Sequence, residues 1–129
     1  MNKVVLSGKM KEMPRIQMNK SMMVALFNID DGTDLHECFA VGEPVKILLK
    51  LNKDELEDVA VEGVLHNYHY KDTFHTPHKV KYILVYNFET KNGETRFECK
   101  ENEKEMIDYL HHQFIEQGLH PVPITNNYV

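Results

Sequence analysis

Tryptophan is missing from the sequence, and cysteine occurs only twice, as Cys38 and Cys99. With no CxxC pair there is neither a disulfide framework nor a thiolate zinc cluster, and both thiols are expected to be reduced and packed. No apolar run approaches the ~20 residues of a membrane span. The opening MNKVVLSGKMKEMPR also lacks the uninterrupted apolar stretch of a secretory signal, so a cytoplasmic protein is expected. Positive charge is not in excess. The formal net charge of −5 excludes a partner held by bulk basicity. Catalytic fingerprints are missing too: GxSxG, the P-loop, HExxH and the dinucleotide motif do not occur. Cys38 and His36, two apart on one strand face, do not amount to a nucleophile and its base. The expectation is a protein that is not an enzyme and needs no cofactor.

What is present is the length and apolar content of one folded domain, 129 residues at 42% hydrophobic, which is close to the globular average. The acidity is uneven. Residues 1–93 carry 12 Lys and Arg against 13 Asp and Glu, whereas residues 94–129 carry 3 against 7. The division expected is a main domain over 1–93 and a C-terminal strand, helix and arm over 94–129.

The local patterns predict mostly strands. VVLSGKM reads as a first strand with a bend at Gly8, and Pro14 should end regular pairing soon after. MMVALFNID alternates, placing Met23, Ala25, Phe27 and Ile29 on a core face and Val24, Leu26, Asn28 and Asp30 on the other. LHECFAVG follows the turn cluster DDGTD as a third strand. EPVKILLKLNK predicts a short helix with Pro44 in its first turn. DVAVEGVLHNYHY and VKYILVYNFET are a fourth and fifth strand joined through Lys71 to Lys79. An Asn-Gly turn then predicts a short extra strand over Thr95–Cys99. The last element is a helix capped by Asn102, striped by Met106, Ile107, Leu110 and Phe114, and stopped by Gly118. An extended arm closes the chain.

Five strands with a helix between the third and fourth is the order of an OB-fold barrel. The fold class expected is therefore mainly β: a five-stranded OB-fold barrel with a short helix between strands 3 and 4 and an added C-terminal α-helix. MNKVVLSGKM, MVALFNI, LHECFAVG and DVAVEGVL, in that order and spacing over roughly the first 90 residues, together resemble the bacterial single-stranded DNA-binding proteins. The likeness to the primosomal replication protein is more distant.

The resemblance implies single-stranded DNA, or RNA, lying over one barrel face, with aromatic rings stacking on bases and cations following phosphates. It implies a homo-oligomer, dimer or tetramer, and contact with replication or repair proteins, although the chain ends TNNYV rather than in the family's acidic tip. The residues expected to bind nucleic acid are Lys9, Lys11, Arg15 and Lys20 around the first loop and Lys71, Lys79 and Lys81 around the hairpin, with Tyr68, Tyr70 and Phe74 as rings. Three departures stand out: Leu35 where the family commonly has tryptophan, Glu37 where a basic residue is usual, and Val41 where phenylalanine is common. Because each lost stacking ring removes about 1–3 kcal/mol per base, binding is expected to be modest. The alternative is an OB-fold interaction module that has lost nucleic-acid binding.

His66, His69, His75 and His78 fall as H-x2-H-x5-H-x2-H and form a weak metal candidate, since imidazole suits zinc, copper or nickel. Residues 66 and 69 have opposite parity on a strand, which points their rings apart.

Overall fold

The computed structural model describes residues 3–19, 22–99 and 102–121. Among these residues eight strands are formed: β1 (Lys3–Gly8), β2 (Arg15–Asn19), β3 (Met22–Asp30), β4 (Leu35–Val41), β5 (Val59–Lys71), β6 (Pro77–Thr90), β7 (Arg96–Glu98) and β8 (His120–Pro121). One α-helix, α1 (Glu103–Glu116), and two 3-10 helices, Glu43–Lys50 and Lys53–Glu57, complete the fold. No helix among the described residues is long and apolar enough to cross a membrane.

The sheet runs β1-β5-β6-β4-β3-β2, with β7 beside β6 and β8 beside β5. This corrects the expected five-stranded barrel: the path is open and has more strands. After Gly8 the chain leaves the β1 ladder, and beyond Pro14 it resumes as β2 against β3, pairing Arg15 with Leu26. Proline lacks an N–H to give to a ladder, but only that position is lost, and pairing resumes at the next residue. Between the two strands a single bridge ties Lys9 to Asp30 through reciprocal backbone bonds of 3.0 and 2.8 Å. Gly8 permits that approach, because a Cβ there would sit 2.1 Å from the Asp30 carbonyl oxygen.

The helix predicted in EPVKILLKLNK forms as a 3-10 segment over Glu43–Lys50 that buries Val45 and Leu48, and a second 3-10 segment, Lys53–Glu57, follows it and buries Leu56. Asn52 caps the second, accepting from the Glu55 N–H at 3.2 Å while the Glu55 side chain accepts from the Asn52 N–H. The expected extra strand is present as β7, paired with β6.

Cross-strand register sorts the side chains into two faces. The inner face carries Ala25, Phe27, Ile29, Cys38, Ala40, Val59, Val61, Ile83, Val85 and Phe88, all buried. Its parity on β6 changes between Val85 and Phe88, where one extra residue opposes the Glu62–Gly63 step of β5. The other face carries Leu26, Phe39, Leu84, Val64, Tyr82 and Tyr68. There α1 lies against Phe39, Tyr68 and Tyr82.

Candidate functional site

Asn102 caps α1, accepting from the Glu105 N–H at 2.8 Å, and a positive φ at Gly118 ends the final turn. Between these signals Met106, Leu110 and Phe114 are buried. The Phe114 ring centroid lies 5.4 Å from Phe39, 4.8 Å from Tyr68 and 6.0 Å from Tyr82. His111 adds a ring 4.7 Å from Tyr68, and its Nε2 meets the Tyr82 hydroxyl at 3.0 Å. Polar contacts hold both ends of the helix: His66 with Glu103 at 3.0 Å, and the Gln113 amide donating to the Gln17 side chain on β2. Burying the three apolar side chains of the helix contributes about 1.5–3 kcal/mol each, whereas a stacked base contributes about 1–3 kcal/mol. The helix is therefore an integral cover of this strip.

That cover corrects one sequence expectation. Tyr68 does not stand free to stack on bases: it is 3% exposed and its hydroxyl donates to the Leu119 carbonyl. Tyr70 lies on the same face, half-buried and stacked on His78 at 5.1 Å. The expected mixing of rings and cations on one hairpin surface does not occur either. Lys81 pairs with Asn67, Lys79 with His69 and Lys71 with Pro77, on the face opposite Tyr68 and Tyr70. Phe74 stands at the hairpin tip, 85% exposed. Its turn is fixed by Asp72, which accepts from the Phe74 and Thr76 N–H groups and meets His78 at 2.7 Å.

Beyond the edge of α1 the same sheet face opens into a groove of about 320 Å³, lined by Lys11, Glu12, Met13, Arg15, Leu26, Phe27, Asn28, Leu35 and Glu37. Its floor follows from register, with Arg15 opposite Leu26 and Asn28 opposite Glu37. Met13 and Leu35 form apolar walls that are 43% and 61% exposed. Lys11 is drawn to Asp30 at 3.1 Å, while Arg15 has no ion pair among the described residues. Burial raises the Glu37 carboxyl above its ordinary value.

Of the expected cations, Lys11 and Arg15 reach this groove. Lys9 instead lines a hollow with Asp30, Asp31, Glu57 and Asp58, and Lys20 lies outside the described residues. Met13, Leu26 and Asn28 are groove residues that the sequence reading does not single out. Alternation in MMVALFNID does place Leu26 and Asn28 on the outer face, but it gives no sign of the neighbouring β2, which supplies the groove wall.

The loop histidines do not assemble. His66 pairs with Glu103 and His78 with Asp72, and His66 and His69, three levels apart on the hairpin, face opposite sides of it. Among the described residues, Asp31, Asp34 and His36 are the only group of three or more metal-type ligand atoms within 4.8 Å of one another. There Asp31 accepts from the Thr33 and Asp34 N–H groups and from His36, and these bonds, led by that of Asp34, lower its pKa to about 2. The Cys38 thiol is fully buried, which pushes its pKa up to about 12, so it stays neutral and unreactive at ordinary pH.

The fold with this open face is that of SSB domains. The SSB domain of a Synechococcus protein is 17% identical, with a TM-score of 0.51 over 68% of this chain and 93% of that one. The mitochondrial single-stranded DNA-binding protein Rim1 of S. cerevisiae is 12% identical, with a TM-score of 0.53 over 69% of this chain and 93% of that one. At the level of sequence, no protein-family model and no curated protein matches.

Proposed function

We propose that this chain binds single-stranded nucleic acid, without catalysis, through the groove between β2, β3 and β4. The observation that carries this reading is the open, partly apolar groove with Arg15 unpaired at its rim, on an SSB-type fold. Leu35, Met13 and Leu26 offer apolar surface to base faces. Arg15, helped by Lys11, meets phosphate. Lys71, Lys79 and Lys81 extend the cationic path along the far face of the hairpin, and Phe74 supplies a ring at its tip. Binding is modest, because Phe39, Tyr68 and Tyr82 are engaged by α1 and Glu37 opposes phosphate.

Fluorescence anisotropy of a labelled oligo-dT of about 30 nucleotides tests this, at low and moderate salt. Single-strand binding weakens with log salt by about 0.7 per phosphate contact, so a salt-dependent signal is expected. A second reading, an OB-fold interaction module, is favoured by the helix over the aromatic strip and by exposed Leu35. No binding even at low salt would overturn the first reading and leave the second.

A further inference from the structure

We propose that Glu37 and Asn28 give the groove a preference for guanine over thymine. The inference rests on the nucleic-acid reading above and goes beyond its sequence-tolerant form.

Asn28 and Glu37 are directly opposed across the β3–β4 ladder, so their side chains leave the same face with Cβ atoms about 5 Å apart. Both line the groove. Neither side chain has a hydrogen-bond or ion-pair partner among the described residues. Glu37 therefore places two acceptor oxygens in the groove that no described donor engages, and Asn28, directly across the ladder, offers amide donors beside them. A partly desolvated carboxylate without donors is unfavourable, and a ligand that supplies N–H groups relieves that cost.

The Watson–Crick edge of guanine has the complementary order. Its N1–H and N2–H groups match the two carboxylate oxygens, and its O6 accepts from the Asn28 amide. Thymine offers one N–H between two carbonyls, which repel the carboxylate. Adenine presents an unprotonated ring nitrogen at the central position. Cytosine has one donor and two acceptors on that edge. Leu26, Leu35 and Met13 supply the apolar flanks for the base, and Arg15, opposite Leu26 on the next strand, lies where the adjoining phosphate would be met.

The test compares labelled ~30-mers by anisotropy at low salt: oligo-dT, the same strand with isolated guanines at every third position, and one with inosine in their place. Inosine keeps the purine stack and O6 but lacks the 2-amino group. The guanine strand should bind about fivefold or more tightly than oligo-dT, the lower range for a good bidentate base contact, and inosine should lose much of that gain. Glu37→Gln, which keeps the side-chain shape but removes the charge and one acceptor oxygen, should bring the guanine-to-thymine ratio close to one even if overall affinity rises with the lost negative charge.

Equal binding of guanine and thymine strands by the unaltered protein would overturn the inference while leaving nucleic-acid binding intact. So would inosine matching guanine, because stacking alone would then explain the gain, and so would a ratio that Glu37→Gln leaves unchanged. Absence of binding to all three strands would overturn the nucleic-acid reading, and the inference with it.

Discussion

Gly63 shows how one residue shapes the platform. A Cβ at that position would lie 2.1 Å from the Leu84 carbonyl oxygen, so the extra residue of β6 can press against β5 only where β5 has no side chain. That insertion lets Ile83, Val85 and Phe88 all face the inner core and leaves Tyr82 and Leu84 to the face beneath α1. The cations differ in the same site-specific way. Arg15 stands unpaired at the groove, whereas Lys9 sits among Asp30, Asp31, Glu57 and Asp58, where a phosphate would be repelled. Arg15→Ala should therefore weaken oligo-dT binding and reduce the slope of log affinity against log salt by about 0.7, while Lys9→Ala leaves the slope unchanged. Anisotropy titrations at three or more salt concentrations read both slopes, and equal losses would show that the strand does not follow this groove.

At the scale of the element, α1 was legible and its seat was not. Asn102, Gly118 and the Met106, Leu110, Phe114 stripe mark the helix from local pattern, but an apolar stripe does not say which surface it covers. Phe39 and Tyr82 lie in different strands, and only the parallel pairing of β4 with β6 brings their rings to 5.5 Å. The same helix carries a pH response. Burial, and secondarily nearby His66, depress the pKa of His111, with Asp108 partly opposing. The unfolded chain then takes up the proton at higher pH than the folded one. Stability from this group is fully present above about pH 6.5 and is lost as the pH falls below it, through the lowered folded value. Thermal melts should show a falling midpoint from pH 7 to pH 5, and His111→Gln should flatten that fall. A profile as steep in the variant would show that His111 does not carry the fall.

Across the whole molecule, the strand order and the helix between β4 and β5 could be read from period-two alternation and turn residues, because those signals are local. The open sheet and the groove could not. Both depend on β2, whose only local sign is the short run RIQMN after Pro14, and on the register that sets Asn28 beside Glu37. Burial of the aromatic strip was equally hidden, since its cover comes from the other end of the chain. The open path leaves β1 at one end of the sheet, joined to β3 among the described residues through the Lys9–Asp30 bridge just beyond it, with Val5 on it 74% exposed. An edge strand with unpaired backbone groups and an apolar side chain is a template for a second strand, and a twofold contact lets one patch serve both copies. Self-association through β1 is the expected outcome. Light scattering at micromolar concentration should give at least a dimer mass, and Val5→Lys should shift it toward the monomer while far-UV circular dichroism stays unchanged. A monomer in the unaltered protein would mean that the β1 edge is left open, with the charged Lys3–Glu62 pair beside it, 3.0 Å apart, helping to keep other chains off.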